Sequence, residues 1–325
     1  MKSDIYKSGG RLIPLKYSLL GQRSVLEKSS KIKKIISSGI LLDADLKVFL
    51  EELISINDNL KEQLCKFNEQ AFFDKKTVGN VITKYVEKNK LDEGSSEIVK
   101  AIQKIKDDIT HEDIVKKKQT IKEICQVSDK LMQKLADFNE DKGLDLDLFR
   151  DRIIYVCKRC QRIACEGRFQ KKECDCGAKL VTTRDVSKIS IYLLSEEVER
   201  FFKKDLWLEY GIDYLLKRAN LSNVFCGYSF LGSSCVYHEV DNFAENFKEN
   251  IRIVCECKNC KIVLNDAIVF KEKIKNLGAS RAYLITTSED IDSDVRLFCN
   301  ASNIMIIDSV LGKQHEELLE IIKKV

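Results

Sequence analysis

The sequence predicts a protein of several domains: an α-helical N-terminal module, a small cysteine-paired segment and a C-terminal α/β domain. Three observations predict this class. The stretch 24–140 keeps helical periodicity with very few glycines, two close cysteine pairs follow it, and short apolar strands then alternate with helical segments. At 325 residues the chain is long enough for two or three domains. We predict the boundaries as 1–23 for a leader, 24–148 for a helical bundle or coiled-coil module, 149–194 for the cysteine segment and 195–325 for the α/β domain.

Composition narrows the functional classes. Charged residues make up 33% and hydrophobic residues 44%, which is typical of a globular protein rather than a disordered one. The net charge of +4 permits a nucleic-acid partner without demanding one. No apolar run approaches the roughly 20 residues that span a bilayer, and the N-terminus lacks the apolar core of a signal peptide. We therefore expect no membrane association, and expect the 13 cysteines to be thiols and metal ligands in a reducing cytoplasm.

The N-terminal part is predicted to be helical after a loosely structured leader, which holds the only proline. Two apolar stripes recur at three- and four-residue steps. The first comprises Leu46, Leu50, Leu53, Ile56, Leu60, Leu64 and Phe67, and the second Ile114, Ile121, Ile124, Leu131, Leu135 and Phe138. Thr110 is predicted to cap the second stripe's helix. Two shorter helices, near 78–86 and from Ser95 or Ser96 to Ile105, are expected between them, joined by a linker at 89–95.

The interrupted stripes favour a bundle over an antiparallel coiled coil or dimer arm. The expected role of these helices is recognition or homo-oligomerisation, and the sequence does not distinguish the two.

The cysteine segment predicts a zinc site. A CxxC pair ends the apolar strand 153–156, and a CxC pair is followed by Gly177, which allows a tight turn around sulfur. Four thiolates in two close pairs can enclose a tetrahedral Zn²⁺. The four predicted ligands are Cys157, Cys160, Cys174 and Cys176. Cys165 is a rival for one position. The arrangement resembles a zinc ribbon, which implies a structural metal, since a closed four-cysteine site leaves no open position. Basic residues outnumber acidic ones here, which suits phosphate contacts or simply solubility.

The C-terminal third predicts an α/β layer. Helices are expected from Ser195 and over 207–218, the latter burying Leu208, Ile212, Leu215 and Leu216. Strands are predicted at 223–230, 234–243, 251–258, 281–286 and 304–307, and helices at 264–277 (ended by Gly278), near 291–298 and at 315–325. Cys226, Cys235, Cys255 and Cys299 are predicted to be core thiols. A second zinc site at Cys257 and Cys260 is not expected, because no further cysteine pair completes it.

Two of these strands carry a cluster of charged residues. Glu239 and Asp241 are two apart and share a face of one strand, as Glu256 and Lys258 do on the next. A hairpin through the polar turn 245–250 would bring Asp241 near Glu256 and Lys258. Carboxylate oxygens suit Mg²⁺ or Mn²⁺, and a nearby ammonium can orient water or offset charge on a phosphate.

The pattern Asp241…Glu256-Cys257-Lys258 resembles the D…(D/E)xK signature of PD-(D/E)xK nucleases. Together with the helix before it and the helix and strand after it, the order over residues 200–310 is similar to Mrr-like restriction endonucleases and the ancillary nucleases of CRISPR systems. The resemblance implies a restriction-endonuclease-like fold, with Asp241 and Glu256 as Mg²⁺ or Mn²⁺ ligands and Lys258 positioning the attacking water. It also implies Glu209 as an extra metal ligand or water anchor, and leaves Glu239 as a second-line candidate.

The expected function is that of a metal-dependent endonuclease that hydrolyses DNA phosphodiester bonds, in restriction or defence against foreign DNA. One alternative is a non-catalytic, nucleic-acid-binding zinc-ribbon protein with a degenerate nuclease fold. The other is a helical adaptor that recruits proteins through its N-terminal stripes. DNA is favoured over RNA by the resemblance alone.

Overall fold

The computed structural model describes residues 14–15, 26, 28–69, 96–159, 161, 163–166, 186–219, 221, 223–246 and 249–323. The predicted helix near 78–86, the linker 89–95 and the cysteines Cys160, Cys174 and Cys176 lie outside these residues.

Short strands and helices alternate in the C-terminal part, and long helices occupy the N-terminal part. The strands are β1 (Pro14–Leu15), β2 (Phe149–Cys157), β3 (Ile163–Glu166), β4 (Val186–Leu194), β5 (Asn223–Leu231), β6 (Tyr237–Asn246), β7 (Ile251–Lys258), β8 (Arg281–Thr286) and β9 (Met305–Ile307). The helices are α1 (Ser30–Ser37), α2 (Ala44–Glu69), α3 (Ser96–Lys142), α4 (Glu196–Lys203), α5 (Leu206–Arg218), α6 (Leu264–Leu277), α7 (Ser293–Ala301) and α8 (His315–Lys323). Among the described residues, no helix combines the length and the apolar character needed to cross a membrane.

The chain divides into two compact units. One comprises 1–51, 144–147 and 196–325, and the other comprises 52–143 and 148–195. This division differs in its boundaries from the predicted domains. Whether those predicted domains fold independently stays a prediction.

The first unit is built on a mixed six-stranded sheet with the order β1-β5-β6-β7-β8-β9. Antiparallel pairing joins β5, β6 and β7, whereas β7, β8 and β9 run parallel. Parallel neighbours need a crossover connection, and α6 and α7 supply it. At one edge Pro14 and Leu15 pair with β5, so the prediction of a loosely structured leader is wrong at these two residues. The C-terminal region is therefore an α/β layer, as predicted.

Side chains of the sheet pack against α6 and α7 on one face. Val254, Ala282 and Leu284 meet Phe270 and Leu277 of α6 in one buried cluster. The side chain between Ala282 and Leu284 on β8, Tyr283, points away from this cluster and donates a hydrogen bond to the Ile322 carbonyl of α8 at 3.3 Å. The alternation of β8 thus buries both faces, as expected for parallel strands.

Helix α5 packs against β5, β6 and β7. Its predicted buried residues, Leu208, Ile212, Leu215 and Leu216, are all buried, which confirms that face. Gly211 is required for close packing, because a Cβ at this position would lie 2.7 Å from Cδ2 of Leu42. The short 3₁₀ turn Ile40–Leu42 therefore approaches the α5 backbone directly.

Element boundaries near the site follow the sequence closely, with one exception. Strands β7 and β8 and helix α6 have the predicted bounds, and Gly278 ends α6 in the left-handed conformation. Strand β6, in contrast, begins at Tyr237 rather than Ser234. Cys235 consequently lies in the preceding turn with a φ of 62° and is exposed, so its prediction as a core thiol is wrong. The predictions for Cys226, Cys255 and Cys299 are confirmed, because all three are buried.

The second unit contains an antiparallel sheet of order β3-β2-β4 together with α3 and the part of α2 after Glu51. Helix α3 is continuous from Ser96, so Thr110 lies inside it and the predicted cap there is wrong. No glycine or proline occurs between Ser96 and Thr110, and nothing therefore breaks the helix.

Both apolar stripes contain buried polar residues that the periodicity did not predict: Asn57 in the first, and Lys117 and Ser128 in the second. Asn57 is fully buried while Ile56 is only half-buried, and Ser128 fills the buried position between Ile124 and Leu131. Asn57 Oδ1 accepts a hydrogen bond from the Leu194 backbone at 2.9 Å, and Ser128 Oγ accepts one from Tyr192 at 2.7 Å. Among the described strands β4 is at an edge of this sheet, so these two side chains accept from main-chain donors that no described strand accepts. The side chains of Phe67 and Ile114 lie outside the described part.

Candidate active site

The site begins where β6 and β7 separate. Their hydrogen-bonded pairing runs from Asn246 and Ile251 to Asn242 and Cys255. Beyond this point the Asp241 side chain, rather than a main-chain carbonyl of β6, contacts β7: its Oδ2 accepts a hydrogen bond from the Cys257 backbone N–H at 2.6 Å. A carboxylate therefore replaces a main-chain acceptor and is held between the two strands.

The regular alternation of β6 is interrupted at Asp241. Val240 and Phe243 are an odd number of residues apart, yet both pack in the cluster beneath α6. On β5, Gly227 lies between Cys226 and Tyr228, which pair with Asn242 and Val240. Its φ of 64° is a conformation that glycine adopts without steric cost. Glu239 is exposed, whereas Asp241 is half-buried; the role of Glu239 as a second-line candidate stays a prediction.

Glu256 lies between two lysines. Its Oε2 accepts a hydrogen bond from Lys273 Nζ at 2.8 Å, and its Oε1 is 3.8 Å from Lys258 Nζ. The Glu256 side chain is only 13% exposed, and that of Lys273 18%. Lys258 also lies 3.6 Å from Asp266 Oδ1 at the start of α6. Opposite charges thus alternate through a half-buried network. It contains the predicted pair Glu256 and Lys258 and two residues that were not predicted, Asp266 and Lys273.

The two missed residues had a sequence signal. Asp266 and Lys273 are seven positions apart in α6, which is about two helical turns, so they project from the same side of the helix. That side faces the end of β7. The bounds of α6 agree with those predicted from the sequence, and the spacing of Asp266 and Lys273 is the signal that could have identified them.

The electrostatic environment keeps Lys258 protonated. Partial burial alone would lower the pKa of its ammonium, but the nearby carboxylates of Glu256, Asp266 and Asp241 outweigh burial and raise the pKa above its usual value. Lys258 can therefore act as a cation and hydrogen-bond donor, not as a general base.

Helix α5 is tied to the site through a buried amide. Asn242 donates from Nδ2 to the Glu209 carbonyl at 2.9 Å, and its Oδ1 accepts from Cys257 Sγ at 3.6 Å. Burial, followed by the charges of Asp241, Cys255 and Glu209, raises the pKa of the Cys257 thiol well above its ordinary value. Glu209 therefore lies within electrostatic reach of the same thiol as Asp241.

His238 lies beside α6 at the margin of the site. Its Nε2 is buried and has no hydrogen-bond partner in the described part of the chain. Burial and then the charge of Lys273 lower the pKa of its imidazole, against a smaller opposing effect of Glu272. The imidazole is thus kept neutral.

The described residues include no group of three or more histidine, cysteine, aspartate or glutamate side chains that could hold a metal ion. Two carboxylates, Asp241 and Glu256, meet the smaller requirement of Mg²⁺, which proteins usually bind through one or two carboxylates while water and substrate phosphates complete its coordination. The donor set therefore fits Mg²⁺ or Mn²⁺ and does not form a closed protein cage.

Of the predicted zinc ligands, Cys157 is described. It is the last residue of β2 and is fully buried. Its carbonyl accepts a hydrogen bond from the Gln161 backbone at 2.7 Å, which marks a tight turn immediately after the strand.

Comparison with known proteins gives only weak likenesses. No protein-family model matches the chain, and no curated protein matches it. Can2 from Sulfobacillus thermosulfidooxidans, in complex with cyclic tetra-adenylate, is 16% identical over 40% of this chain and 39% of its own, with a TM-score of 0.33. Protein VC1899 from Vibrio cholerae is 19% identical over 41% of this chain and 36% of its own, with a TM-score of 0.32. A repair endonuclease from Pyrococcus abyssi is 13% identical over 56% of this chain and 95% of its own, with a TM-score of 0.23.

This chain therefore spans less than half the length of Can2 and of VC1899. At TM-scores this low, the likenesses establish neither a shared fold nor a shared activity.

Proposed function

We propose that the chain is a Mg²⁺- or Mn²⁺-dependent nuclease that hydrolyses DNA phosphodiester bonds. The observation that carries the proposal is the placement of Asp241, Glu256 and Lys258 where β6 and β7 separate, with Asp241 bonded to the strand that holds the other two. DNA as the substrate, and a role in restriction or defence against foreign DNA, rest on the sequence resemblance.

Each residue would have a distinct role. Asp241 and Glu256 would hold the metal ion, which supplies charge stabilisation and activates water when bound. Lys258, protonated and half-buried, would orient the attacking water and offset the charge that develops on the scissile phosphate. Glu209, within electrostatic reach of Cys257, would anchor a further water or complete the metal's coordination.

The second unit would support nucleic-acid binding rather than chemistry. In this proposal Cys157, Cys160, Cys174 and Cys176 hold one structural Zn²⁺. The buried position of Cys157 and the tight turn that follows it support the first half of that site. The long helices α2 and α3 would contribute to recognition or to homo-oligomerisation.

A substrate panel tests the activity. The full chain is incubated with plasmid, linear duplex, single-stranded DNA and RNA, in Mg²⁺, in Mn²⁺ or in EDTA. We expect cleavage of DNA in either metal and none in EDTA. Glu256→Gln, which keeps the side chain's size but removes its charge, should lower the rate on the order of 10²-fold or more. The matched control is Glu316→Gln, at an exposed carboxylate of α8. Cleavage that persists in EDTA, or equal rates in both variants, would contradict the proposal, and binding without cleavage in every condition would favour the non-catalytic alternative.

A further inference from the structure

The lysine in closest contact with Glu256 is Lys273 of α6, not Lys258. The Lys273 ammonium lies 2.8 Å from Glu256 Oε2, whereas the Lys258 ammonium lies 3.8 Å from Oε1. The Lys273–Glu256 pair is also the less exposed, because Lys258 is 31% exposed and Lys273 18%.

We infer that Lys273 is the site's own counter-cation: it occupies Glu256 in the metal-free protein and is released when a divalent cation binds there. This inference rests on the proposed function and adds to it a control of metal occupancy by a residue outside the D…ExK pattern. Lys273 is accordingly a positioning residue, because it acts through Glu256.

Competition for the carboxylate follows from the geometry. A metal ion ligated by Glu256 must approach an oxygen of that carboxylate, and Lys273 is hydrogen-bonded to one of the two. An ammonium and a divalent cation within a few ångströms of each other repel, and partial burial weakens the screening of that repulsion. Lys258 is less affected, since Asp266 offers it a second carboxylate at 3.6 Å.

The local charge balance also favours exchange over simple addition. Asp241, Glu256 and Asp266 carry three negative charges against two positive charges on Lys258 and Lys273. Among these five residues, a divalent cation added with both lysines in place would leave a net positive charge. Releasing Lys273 toward solvent restores the charge balance among these residues.

Chemical labelling of lysines tests the release directly. The wild-type protein is reacted with a limiting amine-acylating reagent, with and without saturating Mn²⁺, and the modified positions are quantified by mass spectrometry. We expect the labelling rate of Lys273 to rise several-fold with Mn²⁺. Lys275, exposed on the same helix, provides the internal control and should not change. A Lys273 that stays equally protected with Mn²⁺ bound would overturn the inference, since a purely structural ion pair behaves in that way.

Metal affinity provides the second test, by calorimetric titration of metal-free protein with Mn²⁺. Lys273→Met keeps the apolar stem and removes the competing charge, so it should bind Mn²⁺ about tenfold more tightly or better, by analogy with the effect of a charge at this distance on a carboxyl pKa. Lys273→Arg should stay near the wild-type affinity, as should the control Lys275→Met. Wild-type binding with an unchanged Lys273→Met affinity would overturn the inference alone. Absence of Mn²⁺ binding in the wild type would overturn the proposed metal site itself.

Discussion

At the scale of single residues, the candidate site depends on an irregularity that the sequence did not reveal. The spacing of Asp241, Glu256 and Lys258 was enough to predict that a hairpin would bring them close. The interruption of alternation at Asp241 was not predictable. Gly227, opposite it on β5, lies within an apolar run, and its sequence context does not reveal its positive φ.

Gly227→Ala tests this local geometry. An L-residue in the left-handed region costs about 1–2 kcal/mol, so the variant should lower the free energy of unfolding by that amount and reduce cleavage through displacement of Asp241. Gly312→Ala is the control, because no atom lies within 4 Å of the added Cβ and its φ is not in that region. Urea unfolding measures both. Equal stability of Gly227→Ala and wild type would contradict the requirement for glycine at this position.

The lowered pKa of His238 predicts that the stability of the folded protein depends on pH. Burial lowers the pKa of its imidazole in the folded state relative to the unfolded chain. The unfolded state therefore binds more protons, so this contribution to stability is present above the unfolded pKa of roughly 6.5 and is lost as the pH falls below it. Unfolding midpoints measured between about pH 7.5 and 5.5 should decline less in His238→Gln than in wild type. Parallel declines would show that His238 is not the group responsible.

At the scale of elements, the periodicity of the helices was largely right and missed its polar exceptions. Leu53, Leu60 and Leu64 are buried as predicted. Asn57 and Ser128 were not predicted to be buried, because the periodicity counts only apolar residues. Both side chains accept hydrogen bonds from main-chain N–H groups of β4, which explains their burial. The sequence of a helix does not show which strand it will contact, so these two acceptors could not be predicted.

Replacing one of these acceptors should be costly. Asn57→Ala leaves the Leu194 N–H buried without a partner, and such a loss costs about 1–3 kcal/mol. Asn59→Ala is the matched control, since its only described bond is an exposed contact with Gln63 on the same helix, of a kind worth a few tenths of a kcal/mol. Urea unfolding compares the two variants. A similar, small loss in both would show that the Asn57 bond does not close the sheet edge.

At the scale of the whole molecule, the C-terminal part was the more predictable. Its strands and helices are short, bounded by turn residues and distinct in period, so several bounds agree with the sequence analysis to the residue. The N-terminal part is rich in helix formers throughout. No glycine or proline separates the helix predicted from Ser96 to Ile105 from the one predicted after Thr110, and these two are one helix in the structure.

The zinc proposal makes a prediction at this scale. Protein purified without added zinc should contain about one equivalent per chain, and Cys160→Ser should lower both that content and the stability of the second unit, because structural zinc contributes directly to folding. Cys257→Ser is the control for the other CxxC pair and should leave the zinc content unchanged. Metal analysis decides this, and full zinc retention in Cys160→Ser would refute the four-cysteine assignment.

The most direct test of the central claim compares cleavage and Mn²⁺ binding in Asp241→Ala, Glu256→Ala and Lys258→Ala. The carboxylate variants should lose both metal binding and cleavage, because each removes a metal ligand. Lys258→Ala should keep metal binding and lose a factor on the order of 10²–10³ in rate. All three should still bind DNA, since most of that affinity comes from phosphate contacts elsewhere. Cleavage at the wild-type rate in all three variants would contradict the account.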